Sequence, residues 1–123
     1  MVAEKYPPEL QHLLIKYQQL QEQYTAVATE RNTVENELKE TTRVLEELEK
    51  LDDSTPVYKS LGSIMYRVDK KKVIEELSDK KEILELRVKA LRKQEELLRS
   101  QLQDLQKKIR QVASRLQTQS GSR

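Results

Sequence analysis

An otherwise helical sequence is interrupted near its middle by the stretch Val57-Tyr58-Lys59-Ser60-Leu61-Gly62-Ser63-Ile64-Met65-Tyr66-Arg67-Val68. β-Branched and aromatic residues are concentrated on both sides of a Gly-Ser pair, which suits the two-residue turn of a β-hairpin. We therefore predict two antiparallel strands, with Leu61 opposite Ile64 and Tyr58 opposite Arg67. In this register one face carries Val57, Lys59, Leu61, Ile64, Tyr66 and Val68, and the other carries Tyr58, Ser60, Met65 and Arg67.

Two apolar stripes, one on each side of the hairpin, predict two long helices. Each stripe steps by alternating threes and fours, a spacing that keeps a narrow seam facing a partner helix in a coiled coil. The first stripe consists of Leu10, Leu13, Tyr17, Leu20, Tyr24, Val27, Arg31, Val34, Leu38, Thr41, Leu45 and Leu48. The second consists of Ile74, Leu77, Lys81, Leu84, Val88, Leu91, Glu95, Leu98, Leu102, Leu105, Ile109, Val112 and Leu116. Because the chain can fold back at the hairpin, each stripe is expected to be the other's partner.

The predicted fold class is mainly α, an antiparallel two-helix coiled coil with a single β-hairpin at the bend. We expect one domain over residues 1–123, with helices at 8–51 and 70–117, the hairpin at 57–68 and a disordered tail at 118–123. Pro56 ends the first helix because proline disfavours helical geometry at the preceding residue. Asp69 is the expected N-cap of the second helix. Lys70, Lys71 and Lys72 oppose the helix dipole at that end, so we expect all three to be solvated.

The composition argues against catalysis. Charged residues make up 36% of the 123 residues, and cysteine, tryptophan and phenylalanine are absent. A two-helix coiled coil buries only its seam, so the deep concave pocket of a small-molecule site is not expected. We expect neither an enzyme nor a cofactor or metal site. No apolar run is long enough for a membrane span and no signal peptide follows Met1, so a cytoplasmic protein without a membrane partner is expected.

The charge is unevenly distributed although the formal net charge is only +2. Residues 1–51 carry 6 basic and 10 acidic groups, a net of −4, whereas residues 104–123 carry 5 basic and 1 acidic, a net of +4. In an antiparallel pair these segments meet, which partly cancels the positive field of the C-terminal segment. Aromatic and basic residues are not interleaved either, so we expect no nucleic-acid partner.

The hairpin decides between a lone coiled coil and an oligomer. An isolated two-stranded sheet is only marginally stable, and at the bend of a two-helix rod nothing is expected to lie beneath it. It also presents two strand edges that can pair with other chains. We expect hairpins from several subunits to pair into a closed sheet or barrel. The alternative is a poorly ordered loop whose β-rich composition is accidental.

Four stretches of the chain match a known family. They are Lys16-Tyr17-Gln18-Gln19-Leu20-Gln21, Leu45-Glu46-Glu47-Leu48-Glu49-Lys50-Leu51-Asp52, the hairpin from Val57 to Tyr66, and Val73-Ile74-Glu75-Glu76-Leu77. In this order they resemble the β-class subunits of prefoldin, and the resemblance covers nearly the whole chain. A single hairpin is similar to the β class, since the α class carries two. An archaeal-type subunit and its nearest eukaryotic relative both fit.

The resemblance implies a hexamer of two α-class and four β-class subunits. Their hairpins would form a double β-barrel platform from which the coiled coils hang as tentacles. Such assemblies hold non-native client proteins without ATP and deliver them to a group II chaperonin. The platform would use the hairpin residues Val57, Tyr58, Lys59, Ser60, Leu61, Gly62, Ile64, Met65, Tyr66, Arg67 and Val68.

Client binding is predicted at the tip where the first helix begins and the second ends. The candidate residues are Leu10, Leu13, Leu14, Ile15, Tyr17, Ile109, Val112 and Leu116. A frayed two-helix end is not expected to bury these side chains fully, and exposed apolar patches mark interaction surfaces. Ordinary seam packing is the alternative, and Leu10, Leu14, Ile15 and Leu116 are the strongest candidates for client contact.

Charged residues suggest two further roles. Lys107, Lys108, Arg110 and Arg115 lie near the same tip and could dock to an acidic chaperonin surface, or could simply solvate the helix. Arg31 and Glu95 interrupt the two stripes at similar heights, so their pairing could fix the register of the coiled coil. Alternatively, Arg31 extends to water.

The heptads alone leave another function open. A structural scaffold or tether would space other proteins with the same coiled coil and would bind no clients. The hairpin favours the chaperone hypothesis, and an assay of aggregation suppression distinguishes the two.

Overall fold

Two long helices with a β-hairpin between them make up the chain. The computed structural model describes residues 6–121, and the side chains of residues 6–118. The elements are α1 (Pro8–Lys50), β1 (Val57–Leu61), β2 (Ile64–Val68) and α2 (Lys70–Gly121). Neither helix contains, within the described residues, an apolar stretch long enough to cross a membrane.

The start of α1 follows from proline chemistry, but its end does not, because the helix stops at Lys50 and Pro56 lies beyond the two turns that follow. Pro8 occupies the first helical position, where its missing N–H costs nothing, and the carbonyl of Pro7 accepts the first helical hydrogen bond from Gln11 at 3.0 Å. The helix ends at Lys50, one residue before the predicted end. Two turns follow, in which Leu51 donates to the Leu48 carbonyl at 3.2 Å and Thr55 donates to the Asp52 carbonyl at 2.9 Å.

The second helix is longer than predicted. It continues to Gly121 instead of ending at residue 117, so the predicted disordered tail is wrong for residues 118–121, and residues 122–123 lie outside the described part. No proline or glycine precedes Gly121 in this segment, so nothing in it stops a helix. The hydroxyl of Thr118 bonds back to the Ser114 carbonyl at 2.9 Å, which satisfies it within the helix.

Lys70 corrects the expectation of three solvated lysines. Its side chain is only 12% exposed, and its Nζ donates to the carbonyl of Leu51 at 2.5 Å and to Oδ1 of Asp53 at 3.1 Å. A cation is unfavourable at the start of α2 but favourable just past the end of α1, where unpaired carbonyls point outward. Lys71 and Lys72 are exposed, as predicted. The carbonyl of Asp69 accepts the first helical hydrogen bond of α2, from Val73, which places Asp69 at the predicted N-cap.

The contacts group the chain into two compact units. The first, here called the terminal unit, comprises the described parts of Met1–Glu30 and Leu91–Arg123. Its helical segments run antiparallel, because Arg115 pairs with Glu9 at 3.1 Å and Arg99 donates to the Tyr24 hydroxyl at 3.3 Å. Its core consists of Leu10, Leu13, Leu105 and Val112, with Tyr17, Leu20, Ile109 and Leu116 packed around it.

The second unit, here called the hairpin unit, comprises Arg31–Ala90. Its segments of α1 and α2 are also joined by a cross-helix ion pair, Lys80 with Glu37 at 3.1 Å. Its buried apolar residues are Val34, Leu45, Leu48, Val73, Leu84 and Val88. The hydroxyl of buried Thr41 donates a hydrogen bond to the Glu37 carbonyl at 2.9 Å, so this polar residue is tolerated in the seam.

The heptad prediction is confirmed residue by residue. Every member of both predicted stripes is buried or half-buried in its own unit. Val73 is also buried, although it lies outside the predicted stripe.

The hairpin has the predicted register. The strands are antiparallel, with Leu61 opposite Ile64 and Tyr58 opposite Arg67. Gly62 has φ of 60° and is the only described residue with a positive φ, so the first central position of the turn requires glycine and the second does not. This is the pattern of a type II′ turn, whose twist matches that of the flanking strands.

Candidate interaction surfaces

The hairpin surface consists of the residues of β1 and β2 together with Gly62. Its exposed apolar side chains are Leu61 (70% exposed), Met65 (69%), Ile64 (64%), Tyr58 (53%) and Tyr66 (45%). Leu61, Ile64 and Tyr66 lie on one face of the sheet, and Tyr58 and Met65 lie on the other. Exposed apolar patches commonly mark interaction surfaces, so both faces are candidates for contact with another chain.

The polar members of the hairpin surface are arranged differently. Ser60, Gly62 and Arg67 are exposed, whereas Val57, Lys59 and Val68 are half-buried. The half-buried residues share the first face and lie at or near its base. The tip of the hairpin is therefore the open part, and its base is partly covered.

An ion pair accounts for part of this cover. Nζ of Lys59 lies 3.2 Å from Oε2 of Glu76 in α2, which links the first face of the hairpin to the helix that follows it. The expectation that nothing lies beneath the hairpin is therefore wrong at its base. Both side chains are about half exposed, so the pair orients the hairpin more than it stabilises it.

The strand edges are also available. Within the described residues the sheet contains only β1 and β2, so each strand has one edge without a partner strand. Unpaired N–H and C=O groups on such an edge are a template for another strand.

The eight predicted client-binding residues all belong to the terminal unit but fall into three groups. Leu10, Leu13 and Val112 are buried, at 5–6% exposure. Tyr17, Ile109 and Leu116 are half-buried, and Leu14 and Ile15 are exposed, at 37% and 56%. The expectation that this end cannot bury its seam is wrong for the first group, because these side chains close on Leu105 in one cluster.

The predicted docking residues Lys107, Lys108, Arg110 and Arg115 are all exposed on α2. Arg115 donates to both carboxylate oxygens of Glu9, at 3.1 and 3.2 Å, so its charge is largely neutralised. The other three form no ion pair within the described residues. The positive field along this part of α2 therefore comes from Lys107, Lys108 and Arg110.

Arg31 and Glu95, the proposed register pair, lie in different units. Nη1 of Arg31 bonds to Oε2 of Glu35 at 2.9 Å, one turn along α1. Glu95 is buried, at 8% exposure. Their mutual pairing stays a prediction, which a double-mutant cycle without coupling would contradict.

Sequence reasoning missed two features. The first is Ile83 and Leu86 in the hairpin unit, which are each 64% exposed. Two aliphatic residues three positions apart and outside the heptad positions could have indicated this exposed pair. The terminal groove is the second feature, a depression of about 340 Å³ in the terminal unit lined by Leu13, Lys16, Leu20, Gln101, Asp104, Leu105 and Lys108. It was not foreseeable from one stripe because both helices contribute to it.

Known proteins share this arrangement. A family model described as prefoldin subunit matches residues 11–115. The chain is 48% identical over 120 residues to the prefoldin subunit beta of Sulfurisphaera tokodaii, covering 98% of this chain and 96% of the relative. It is 47% identical over 108 residues to the prefoldin subunit beta of Archaeoglobus fulgidus, covering 88% and 93%.

Solved structures agree. The crystal structure of the prefoldin beta subunit from Thermococcus strain KS-1 matches with a TM-score of 0.78 and 35% identity, covering 86% of this chain and 93% of that one. The beta2 subunit from the same strain matches with a TM-score of 0.65 at 18% identity, covering 74% and 97%, which is a likeness of fold alone.

Proposed function

The chain belongs to the prefoldin subunit family, and we propose that it is a β-class subunit of an ATP-independent cytoplasmic holdase. It would assemble with α-class subunits into a hexamer of two α and four β chains. The hexamer would bind non-native proteins and deliver them to a group II chaperonin.

The observation that carries this proposal is the hairpin surface. Leu61, Ile64 and Met65 are each at least 64% exposed on a sheet whose two edges have no partner strand among residues 6–121. Pairing these edges with other subunits would satisfy the edge groups and bury the apolar side chains in the same step. A monomer would leave both exposed, so the hairpin is built for assembly.

Client binding is assigned to the terminal unit. Leu14 and Ile15 offer exposed aliphatic surface next to the buried cluster of Leu10, Leu13 and Val112. Leu10 and Val112 do not line the terminal groove, so they would reach a client only where the helix ends separate. Each contact is weak, but several subunits in one hexamer bind one unfolded chain with avidity.

Delivery requires that a client leave without ATP. Lys107, Lys108 and Arg110 carry positive charge that is not neutralised within the described residues, and they would dock to an acidic chaperonin surface. Weak individual client contacts would then yield to competition by the chaperonin. If these basic residues only solvate α2, reversing their charge will not change chaperonin binding.

Aggregation of a denatured client, followed by light scattering without ATP, tests the proposal. We expect the assembled hexamer to suppress aggregation and the double variant Leu14→Ser/Ile15→Ser to lose most of that protection. Both positions are exposed, so the core of the terminal unit stays intact, which circular dichroism checks.

The matched control is Ile83→Ser/Leu86→Ser. It also removes two exposed aliphatic side chains from a helix, but in the hairpin unit. Protection should survive this change. An equal loss in both double variants would contradict client binding at the terminal unit.

A scaffold that binds no clients is the second candidate. The burial of Leu10, Leu13 and Val112 favours it, because it withdraws three of the eight predicted client-binding side chains from the surface. An intact hexamer that gives no protection in the same assay would establish the scaffold and exclude the holdase.

A further inference from the structure

The terminal groove joins apolar and charged groups from both helices. Its floor contains buried Leu13 from α1 and buried Leu105 from α2, with half-buried Leu20 beside them. Its rim is polar and exposed, with Lys16 on the α1 side and Gln101, Asp104 and Lys108 on the α2 side. The groove therefore has an apolar floor between two lysines.

The two lysines are available for a ligand. Neither Lys16 nor Lys108 forms an ion pair within the described residues. Their methylene stems extend the apolar walls while the ammonium groups stay in water, as is usual for lysine. A side chain entering the groove would meet apolar surface first and positive charge at the edge.

The wider electrostatic environment has the same sign. Residues 9–20 and 101–118 together carry 5 basic and 2 acidic groups, a net of +3. One of the two acidic groups, Glu9, is already paired with Arg115. Asp104 is the single carboxylate among the residues that line the groove, which include two lysines.

We propose that the terminal groove selects among clients by charge and takes aliphatic segments flanked by aspartate or glutamate. The aliphatic side chains cover Leu13, Leu20 and Leu105, and the flanking carboxylates lie near Lys16 and Lys108. Segments flanked by lysine or arginine are repelled. This inference rests on the proposed holdase function and names the chemistry of its preferred clients.

Two blocked peptides of equal length test the selection. Both carry the same central Leu-Ala-Leu-Leu, flanked by glutamates in one and by lysines in the other. Fluorescence anisotropy with the assembled hexamer, at an ionic strength of about 0.05 M, keeps charge interactions measurable. Two favourable surface pairs predict that the glutamate peptide binds about tenfold more tightly.

Charge reversal in the groove provides the decisive variant. Lys16→Glu/Lys108→Glu should invert the preference, so that the lysine peptide binds more tightly. Lys39→Glu/Lys89→Glu changes the net charge equally at exposed positions of the hairpin unit and should leave the preference unchanged. Equal binding of the two peptides, or the same preference in both double variants, overturns the inference.

Other outcomes separate this inference from the function on which it rests. If neither peptide binds but the hexamer still suppresses aggregation, the groove is not a client site and the holdase stands. If the hexamer neither binds peptides nor suppresses aggregation, both proposals fall. If the groove variant changes the number of subunits in native mass spectrometry, another copy of the chain occupies the groove and the inference is overturned.

Discussion

The seam of the terminal unit and the hairpin surface use similar residues with opposite results. Leu13 is 6% exposed and Leu61 is 70% exposed. Leu13 has its partners in the same chain, because its position repeats with the heptad and α2 supplies a complementary stripe. Leu61 alternates with the period of a strand, and the chain supplies no second sheet within the described residues.

The two regions differ in where each finds its partner. A helical stripe that matches a second stripe in the same sequence is completed by folding back. A two-stranded sheet with apolar residues on both faces has no second sheet to cover it within the described residues, and the proposed function has other chains complete it. Family membership and the exposed hairpin surface thus both indicate that the chain is one subunit of a larger assembly.

The largest effect is expected from a charge at the hairpin surface. Ile64→Lys should abolish hexamer formation with an α-class partner, because burying an unpaired ammonium group costs several kcal/mol. Native mass spectrometry measures the loss. Ile83→Lys is the matched control, since Ile83 has the same 64% exposure, and it should leave the hexamer intact. If Ile64→Lys still assembled fully, the hairpin surface would not need other chains to cover it, and its contrast with the seam would be lost.

A cavity in the terminal unit should be the next largest effect. Leu13→Ala removes a buried side chain and should lower the free energy of unfolding by about 2–4 kcal/mol. Leu14→Ala, one position along, removes a side chain that is 37% exposed and should cost less than about 1 kcal/mol. Urea denaturation followed by circular dichroism compares them. Equal costs would show that the seam is not packed as described.

The sequence predicted most of this fold because its signals were periodic and local. The heptads identified every buried position of both stripes, and Gly62 with Ser63 was enough for the hairpin register. The helix end at Gly121 was missed because Gln117 to Ser120 are polar without being helix breakers. Polar composition was mistaken for disorder.

The candidate sites were less predictable, because exposure depends on contacts between elements. Leu10 and Leu14 were both predicted to contact clients, yet Leu10 is buried in the seam and Leu14 is exposed. The sequence predicted that Lys70 is solvated, because its hydrogen bond to the Leu51 carbonyl joins two elements that are 19 residues apart. The terminal groove required Lys16 and Lys108 to be brought together from opposite ends of the chain.

A substitution in the turn tests the hairpin without touching its side chains. Gly62→Ala should destabilise the hairpin by about 1–2 kcal/mol, because a φ of 60° is unfavourable for a residue with a Cβ. The added Cβ would meet no atom within 4 Å, so the cost is one of backbone conformation alone. Hydrogen exchange of the strand amides measures it. Gly62→Asn should cost less, since asparagine adopts a positive φ more readily than alanine; an equal cost would show that the preference for a positive φ does not set the stability of this turn.

A smaller effect is expected where the hairpin unit joins its helix ends. Lys70→Met removes the hydrogen bonds to the Leu51 carbonyl and to Asp53, and should lower the free energy of unfolding by about 1 kcal/mol. Lys71→Met, at an exposed neighbouring position, should change it by less than about 0.5 kcal/mol. Thermal unfolding compares the two. A larger loss of stability in Lys71→Met than in Lys70→Met would show that the hydrogen bonds of Lys70 to Leu51 and Asp53 do not stabilise the end of α1.

The smallest effect is expected from an exposed ion pair on α1, in contrast to the buried residues of the seam. A hydrogen bond and the charge of Arg43, whose Nη2 lies 2.6 Å from Oε1 of Glu40, lower the pKa of Glu40 below its ordinary value of 4.5. A lowered pKa in the folded state stabilises the fold above about pH 4.5, and this contribution disappears as the pH falls through the folded-state pKa. Arg43→Gln should return the pKa of Glu40 toward 4.5, which NMR titration of its carboxyl carbon detects. An unchanged pKa in this variant would show that solvent already screens the pair.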